Sequence, residues 1–553
     1  MKLLELIVSV LFLSFVLCNN AHLEQLRFSR GYDSITVDIS EGYLKDYQEN
    51  NNLLKNNLHQ NGLKRDSIEF LPDPPGENKG DRTKCYLAGS LEGKEEGYVK
   101  VAESILFNYM DGQSQIDGYN LPDDVLDFIK TQLKWLKKQS KNHLSKVELK
   151  KDKLFFKDTE DLIDKETQFW LSVNCVLLMV RGMYDSFVEN GSTITLDQFL
   201  TLPYMADMED LLNKFDFQNG HPERVKKKNM GDCTIIVKDI NNEEEDDLYI
   251  AHNTHNTYSI MLRLFKSVTI EWDEYSDFMK AKTMRFSSRY GGIASKDDFY
   301  ALDSGIVAME SSILIYNNEL YKRIYPESVP YFVSVTVANW MSNTNEEWID
   351  NYLNHYGGTH IAQWVLIDTK KEKYSPGSIN VLDAIMGDSE AFDVSKEFKA
   401  KGYWGGYNVP FSQRILEECH YDPVNHGYNT DERARIIASK IGEANTPESI
   451  RSLIRYNGNP SAPCGSISPR CDLSEKGGSA FGAIDSKYTQ ATWIKNGSIK
   501  VLGVGAPTWN IEEGFPPFKF SGRYKDVPHR ETPEELSFGW HEIFSSNKEP
   551  YSN

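Results

Sequence analysis

The sequence predicts an α+β protein, and three features of the chain indicate this fold class. Before residue 214, apolar residues recur at the three- to four-residue spacing of amphipathic helices, most clearly after Pro122. After residue 270, short β-branched runs suggest strands, and a hairpin-like segment that begins at Cys233 joins the two parts. The helical spacing is carried by Val125, Ile129, Leu133 and Leu136, and the strand-like runs lie at 307–316, 331–338 and 363–368.

The N-terminal part is predicted to contain one weak strand and several helices. Residues Ser34–Ile39 give the strand signal, residues 85–110 turn helical, and a strongly apolar helix runs from about Leu162 to Tyr184. The apolar runs of that last helix are too short to span a membrane, so we expect a core helix. Glycine, proline, asparagine and a Lys226–Lys228 run then break the pattern at 214–232, which predicts an exposed linker.

The segment from Cys233 to Phe265 is predicted to be a hairpin followed by a helix. A β-branched run follows Cys233, an acidic reversal occupies Asn241–Asp247, and a second short strand covers Leu248–Ala251. The apolar spacing of Tyr258–Phe265 suits an amphipathic helix.

The first residues are predicted to be a secretory signal peptide. Lys2 precedes an apolar run, and Val16 and Cys18 fit the −3 and −1 positions of a cleavage site. No later run is long enough to span a bilayer, so we expect a mature protein without a transmembrane segment. The predicted divisions are a signal peptide at 1–18, a mainly helical N-terminal chain or prosegment at 19–232 that includes the linker 214–232, and a catalytic α+β chain at 233–553.

The composition argues against several partners. The net charge of −20 disfavours nucleic acid, because phosphate binding needs a basic face, and it disfavours loose adhesion to anionic membranes. The sequence contains no P-loop, no Rossmann glycine fingerprint and no HExxH motif, so we expect no cofactor. His252 and His255 lie three residues apart without an evident third ligand, and zinc is therefore not predicted.

The cysteines and sequons fit an oxidising lumen. Asn190 and Asn496 each begin an Asn-Gly-Ser glycosylation sequon, although Asn-Gly pairs also favour turns. Cys464 and Cys471 flank a Gly/Ser/Pro-rich loop and are predicted to form a local disulfide. If Cys233 keeps its thiol, at least one further cysteine is also unpaired, and the pairing among Cys85, Cys175 and Cys419 stays open.

Cys233 is the candidate nucleophile, because it stands at a strand start directly after Gly231-Asp232. A thiol there can attack the preceding carbonyl and give a thioester that water hydrolyses, and the new α-amine can then act as the base for the thiol. This chemistry needs no metal, but it needs donors where the oxyanion forms. The competing interpretation is that Cys233 is a small core residue, which is the commoner role of a lone cysteine.

Several motifs resemble the phospholipase B-like family, in the same order and over nearly the whole mature chain. The motif next to the candidate nucleophile is Ala251-His252-Asn253-Thr254, followed by Tyr258, Met261, Arg263 and Lys266. The other motifs are Ala88–Gly93, Phe286–Tyr300, Gly358-Thr359 with Gln363-Trp364, Tyr407–Phe411 and Arg455–Asn457.

The resemblance implies an N-terminal nucleophile hydrolase, an αββα sandwich of two stacked antiparallel sheets between helical layers. The precursor is expected to be cut into two chains that stay associated, in a secreted or lysosomal glycoprotein that removes fatty acyl chains from glycerophospholipids. By this resemblance Cys233 is the nucleophile and its amine the base, His252 lines the site, Asn408 is the candidate oxyanion donor, and Asn253, Thr254 and Arg433 support them.

The sequence departs from the family pattern near the expected pocket. Ile361-Ala362 stands where the family usually has Asn-Asn, His255 where it usually has Trp, and Glu432 precedes Arg433 where Pro is usual. Because these positions can reshape the pocket, two other functions stay open: an amidase acting on N-acyl lipids or small amides with the same nucleophile, and a non-catalytic luminal lipid-binding protein. A long apolar groove would favour phospholipid, whereas a small pocket would favour an amide.

Overall fold

The computed structural model has a mixed α+β fold, which confirms the fold class at that level. Helices form most of the described part before residue 225, and almost all strands of the two large sheets lie after residue 233, where they alternate with further helices and loops. The structure describes residues 33–39, 68–75, 80–113, 115–151, 163–225, 233–243, 245–273, 276–296, 298–458, 463–474 and 478–544.

The N-terminal helices pack through two close backbone contacts and one disulfide. A Cβ atom at Gly89 would lie 1.9 Å from the Met179 carbonyl oxygen, and one at Gly182 would lie 2.0 Å from the Tyr86 carbonyl oxygen, so only glycine permits this approach. The Cys85–Cys175 disulfide joins the same two helices, α1 and α4. The helices of this part are α1 Asp81–Glu92, α2 Tyr98–Asp111, α3 Asp123–Lys151, α4 Lys165–Glu189, α5 Leu196–Leu200 and α6 Met208–Gln218.

Helix α4 is a core helix, as predicted. Among the described residues it is the one helix whose length and composition would let it cross a membrane, but most of its apolar window is buried inside the protein. Trp170 and Val176 are buried on it, and Cys175 ties it to α1.

The larger sheet has eight strands, and one N-terminal segment belongs to it. Strand β1 pairs in parallel with β4, and all other neighbours are antiparallel. The order is β1 Asp33–Ile39, β4 Leu264–Ile270, β5 Thr283–Ser288, β6 Phe299–Leu302, β7 Ile306–Ser312, β8 Ala362–Asp368, β9 Ile379–Ile385 and β10 Asp388–Asp393. The predicted strands at Ser34–Ile39, 307–316 and 363–368 are therefore confirmed, with shifted ends.

The second sheet has six strands and begins with the predicted hairpin. Strands β2 and β3 pair antiparallel through the acidic reversal, with Cys233 opposite Thr254. The order is β11 Tyr403–Gly406, β2 Cys233–Asn241, β3 Asp246–Thr257, β12 Phe481–Gln490, β13 Leu502–Val504 and β16 His541–Glu542; β14 Phe518–Lys519 and β15 Glu535–Leu536 form a separate pair.

The two sheets meet where β2 contacts β7. His252 on β3 lies with its Nε2 atom 2.9 Å from the backbone oxygen of Glu310 on β7. Helices pack against both sheets: α1 contacts β1 and β4, and the helix Pro447–Ile454 contacts β3. The C-terminal helices are α7 Tyr331–Met341, α8 Asn345–Leu353, α9 Ser395–Lys401, α10 Gln413–Glu418, α11 Glu432–Lys440, α12 Pro447–Ile454 and α13 Ala491–Lys495.

Two secondary-structure predictions are wrong. Tyr258–Phe265 is not a helix: it is a short 3₁₀ turn at Tyr258–Ile260 followed by the start of β4. The run 331–338 is not a strand: it lies in α7, which begins after Pro330 and is buried at all eleven positions. In both segments burial on every side removes the alternation that separates a strand from a helix.

Some predictions concern residues outside the described ranges. The signal peptide at 1–18, the Lys226–Lys228 run and the Gly231-Asp232 pair before the candidate nucleophile all lie there. Helix α6 continues to Gln218, so the first residues of the predicted linker are helical.

Candidate active site

Cys233 is the first residue of β2 and is almost completely buried, with 1% of its surface exposed. Its backbone nitrogen donates to Asn408 Oδ1 at 3.3 Å, and its carbonyl oxygen accepts from Arg433 Nη1 at 2.8 Å. Its Sγ atom lies 3.8 Å from Glu310 Oε1 on the facing sheet. The thiol therefore lies at the junction of the two sheets. The backbone of Cys233 is hydrogen-bonded to Asn408 at its nitrogen and to Arg433 at its carbonyl oxygen.

Asn408 is held in a strained conformation beside Cys233. Its φ of 68° lies in the left-handed region, which a side chain with a Cβ seldom adopts without compensation. Its backbone nitrogen donates to Ser311 Oγ at 2.6 Å, and its side-chain Nδ2 donates to the Ser312 carbonyl oxygen at 2.7 Å. Because Nδ2 is engaged in this way, the predicted role of Asn408 as oxyanion donor stays a prediction.

Arg433 fixes the backbone on both sides of the site. Besides the Cys233 carbonyl, its guanidinium donates to Thr234 Oγ1 at 3.2 Å and to the Tyr407 carbonyl oxygen. The planar group bridges β2 and the segment after β11, as the fork geometry of arginine allows. Helix α11 presents it, and Asp431 caps that helix by accepting from the Arg433 backbone nitrogen.

His252 lies near the thiol but does not bond to it. The ring contacts the Glu310 backbone through Nε2, while Nδ1 has no hydrogen-bond partner within the part described. Burial lowers the pKa of His252 well below its usual value, so the imidazole is neutral. This contact links β3 to β7, and the predicted place of His252 in the lining of the site stays a prediction.

Asn253 and Thr254 lie on β3, the strand that pairs with the start of β2 at the candidate nucleophile. Asn253 Oδ1 accepts from the Thr234 nitrogen at 3.0 Å, and its Nδ2 donates to the Ile454 and Ile467 carbonyls. His255 Nε2 lies 2.9 Å from the same Oδ1. His255, which departs from the predicted family pattern, therefore takes part in the hydrogen bonds around Asn253.

A buried ion cluster beneath Thr254 was missed by sequence reasoning. Asp485 Oδ1 accepts from the Thr254 nitrogen at 3.1 Å and from Lys487 Nζ at 2.7 Å, and Asp485 Oδ2 accepts from Arg263 Nε at 3.2 Å. Lys487 also donates to Thr254 Oγ1 at 2.7 Å. The signal was an Asp-x-Lys pair two residues apart, which places both side chains on one face of a strand.

A second missed cluster lies beside the thiol. His360 Nε2 is 2.5 Å from Asp298 Oδ2 and 3.6 Å from Glu310 Oε1, and Tyr331 donates to Asp298 Oδ1. All three ionisable groups are buried, and Asp298 and His360 both have positive φ values, of 31° and 50°. Their approach depends on how two loops and β7 meet, so sequence spacing gave no signal. Within the described residues this set is the one that could hold a metal ion.

The charges of this second cluster depend on one another. Burial lowers the pKa of His360, but the Asp298 and Glu310 carboxyls outweigh it and raise the pKa to about 10. Burial also raises the pKa of Asp298 well above its usual value, against the opposing effect of His360. The two carboxyl groups therefore favour the protonated form of the imidazole that lies between them.

The space next to the thiol is small. A cavity of about 30 Å³ adjoins Cys233, which is room for about one water molecule. Helix α6 closes one side of it with Glu209, Asp210 and Asn213. Ile361, one of the departures from the family pattern, lines the cavity together with Ile313.

Asp207, just before α6, carries a pH-dependent contribution to stability. Its Oδ1 accepts from the Tyr331 nitrogen at 2.8 Å and from Thr359 Oγ1 at 2.5 Å, while Oδ2 has no partner within the part described. Burial raises its pKa to about 7. The folded chain therefore keeps a proton that the unfolded chain releases above about pH 4, so this stability is present below pH 4 and is lost as pH rises through 7.

We expect Asp207→Asn to raise the melting temperature at pH 8 and to leave it nearly unchanged at pH 4. Asparagine stays neutral and keeps the oxygen that Tyr331 and Thr359 use, so it removes the cost of ionisation, up to about 4 kcal/mol. Differential scanning calorimetry from pH 4 to 8 measures this. Asp197→Asn, at a partly exposed carboxylate paired with Lys130, is the control and should leave the slope unchanged. Parallel profiles for Asp207→Asn and the wild type would contradict the prediction.

The predicted modification sites are ordered. The Cys464–Cys471 disulfide is present, as expected, and Cys233 and Cys419 are buried thiols. Asn496 is exposed in the turn after α13, which suits its predicted glycosylation. Asn190 is also exposed, but its Nδ2 donates to the Gly93 and Ser186 carbonyls at 2.9 Å each, so a glycan there would displace one of these bonds.

Comparison with known proteins gives one consistent result. The family model described as Phospholipase B matches residues 54–543. Phospholipase B-like 1 of Homo sapiens is 27% identical over 481 residues, covering 82% of this chain and 80% of that protein. Phospholipase B of Crotalus adamanteus is 27% identical over 485 residues, covering 82% and 81%. Phospholipase B-like protein D of Dictyostelium discoideum is 27% identical over 416 residues, covering 68% and 72%.

Proposed function

The chain belongs to the phospholipase B family, and from this premise we propose that it is an acyl hydrolase that removes fatty acyl chains from glycerophospholipids. Cys233 is its nucleophile, exposed as an N-terminal residue by self-cleavage, and the fold is the αββα sandwich of N-terminal nucleophile hydrolases. The mature enzyme is secreted or lysosomal, in keeping with its two disulfides and its predicted signal peptide.

One observation carries the proposal: the buried Cys233 thiol at a strand start, with its backbone held by Asn408 and Arg433. A core cysteine has no need of a strained asparagine at its nitrogen and a guanidinium at its carbonyl. These contacts suit a residue whose nitrogen must later stay beside its own thiol as a free amine. They support the nucleophile over the competing interpretation of a core residue.

The reaction follows from this arrangement in two stages. In the first, Sγ attacks the Asp232 carbonyl carbon, the bond from that carbon to the Cys233 nitrogen breaks, and water hydrolyses the thioester. In the second, the new α-amine takes the thiol proton, Sγ attacks a substrate ester, and the proton passes to the departing lysophospholipid alcohol. Water then releases the fatty acid and restores the thiol. The pocket has to widen first, since the present cavity admits about one water molecule.

The two chains are expected to stay associated after the cut. Strand β1 pairs with β4 across the division, and Lys84 Nζ lies 2.6 Å from Asp273 Oδ1. Asn108 exchanges two hydrogen bonds with the backbone of Arg530. Cleavage before Cys233 breaks none of these contacts.

A second candidate is an amidase acting on N-acyl lipids or other small amides with the same nucleophile. The small cavity favours it, because its lining includes the charged groups of Glu209, Asp210 and Lys296 rather than a long apolar groove. Release of fatty acid from an N-acyl amide, without release from phosphatidylcholine, would favour this candidate.

N-terminal sequencing and intact mass of the purified protein, after incubation at acidic pH, test the proposal. We expect a chain that begins Cys-Thr-Ile-Ile in the wild type and in Cys419→Ala, the matched variant at the other buried thiol, and none in Cys233→Ala. A wild-type chain that stays uncut, or is cut only at Lys226–Lys228, would refute the nucleophile and favour a non-catalytic lipid-binding protein.

A further inference from the structure

The first cleavage needs a base that the mature enzyme's α-amine cannot supply. Before the cut, the Cys233 nitrogen is an amide that donates its hydrogen to Asn408 Oδ1 at 3.3 Å, so it has no lone pair to accept a proton. The neutral His252 ring is directed at the Glu310 backbone rather than at the thiol. Some other group has to take the proton from Sγ.

We propose that Glu310 is the catalytic base of self-cleavage, the group that takes the Cys233 thiol proton in the uncut chain. This inference rests on the proposed function, because it has meaning only if Cys233 cuts its own chain. It assigns a catalytic role to a residue that neither the sequence motifs nor the predicted site contained.

The geometry around Glu310 fits this role. The thiol and Oε1 are 3.8 Å apart, within hydrogen-bond reach for sulfur, and both line the same small cavity. The Glu310 backbone is fixed at both ends, its nitrogen donating to the Asp298 carbonyl oxygen at 3.1 Å and its oxygen facing His252. These backbone contacts hold Glu310 in position on β7, next to the thiol.

The two side-chain oxygens of Glu310 have different surroundings, because Oε1 faces the thiol and His360 whereas Oε2 is unengaged within the part described. Its Oε2 atom has no hydrogen-bond partner within the part described, although the residue is fully buried, and such an atom calls for an explanation. His360 Nε2 lies 3.6 Å from Oε1, where a protonated ring would be an ionic partner for the Glu310 side chain. Asp298 and His360 both have positive φ values, and such conformations persist only where the surrounding structure holds them.

The step balances without any further reactant. Glu310 takes the proton from Sγ, and the thiolate electron pair forms the bond to the Asp232 carbonyl carbon. As the tetrahedral intermediate collapses, Glu310 returns the same proton to the Cys233 nitrogen, whose bond to that carbon breaks. The products are a thioester and a neutral α-amine, and the carboxylate is regenerated.

Self-cleavage of the full chain, made by cell-free translation with microsomes, gives the test. We expect Glu310→Gln to form the Cys233 chain at least about 100-fold more slowly than the wild type, since general-base catalysis contributes on that order. Glutamine keeps the size and the acceptor oxygen but not the basicity. Glu310→Asp, the second variant, keeps a carboxylate and should be faster than Glu310→Gln.

The matched control is Glu166→Gln, at another glutamate that contacts a histidine, His355, at 2.9 Å. It should cleave like the wild type. Cleavage of Glu310→Gln at the wild-type rate overturns the inference, while a wild type that is never cut before Cys233 refutes the proposed function and this inference with it. Cleavage that stops with a chelator and returns with added zinc also overturns it, because Asp298, Glu310 and His360 would then be metal ligands. Protease resistance and thermal unfolding are measured for each variant, to show whether it has folded. If one Glu310 variant fails to fold, the cleavage rate of the other Glu310 variant tests the inference.

Discussion

Cys233→Ala is expected to lower the hydrolysis of phosphatidylcholine by more than about 10³-fold, because removal of a covalent nucleophile leaves only binding and electrostatic effects. The thiol is the atom that attacks the ester, and without it the chain cannot release its α-amine either. Fatty acid release from mixed detergent–phosphatidylcholine micelles, followed from pH 4.5 to 7.5, measures the loss.

Two controls make that result specific. Cys419→Ala removes the other buried thiol, at the C-terminal end of α10, and should keep the wild-type rate. Burial raises the pKa of Cys419 well above its usual value, so this thiol is poorly suited to act as a nucleophile. Equal activity of Cys233→Ala and the wild type would mean that another group carries out the hydrolysis. Binding of the lipid without turnover in both proteins would favour a non-catalytic lipid-binding protein.

The candidate nucleophile could be proposed from the sequence because the pattern that points to it is local. A lone cysteine after Gly-Asp, opening a β-branched run, marks a strand start where a thiol can attack its own chain. Asn408 and Arg433 were found through motifs, and the structure brings both into contact with Cys233 although they lie 175 and 200 residues away.

Glu310, His360 and Asp298 were not predictable, since no local pattern brings them together. In the sequence, Glu310 is a single acidic residue in an apolar strand. Its partners Asp298 and His360 come from two loops, and their positive φ values cannot be predicted from the sequence. The same limit explains the errors at Tyr258–Phe265 and 331–338. Both segments are buried on all sides, so the choice between strand and helix was made by neighbouring elements rather than by their own periodicity.

The ion cluster below Thr254 is expected to be the most costly to disturb. Asp485→Asn should lower the free energy of unfolding by about 3–5 kcal/mol, because it removes the one carboxylate shared by two buried cations, Lys487 and Arg263. Burial lowers the pKa of Lys487 and the Asp485 charge opposes that shift, so the lysine depends on this partner for its proton. Urea unfolding followed by tryptophan fluorescence measures the change.

The double variant Asp485→Asn/Lys487→Met separates the loss of the Asp485–Lys487 charge pair from a simple packing defect. Methionine removes one of the two cations that lose the Asp485 charge, so the double variant should be more stable than Asp485→Asn alone. We expect a coupling free energy between the two substitutions of about 0.5–3 kcal/mol. Glu319→Gln, at an exposed pair with Lys322, is the surface control and should cost less than about 1 kcal/mol. A loss for Asp485→Asn no larger than that of the control would mean that the cluster does not stabilise the fold. Because Asp485 and Lys487 also bond to Thr254, the strand partner of Cys233, we expect the same variants to slow cleavage before Cys233.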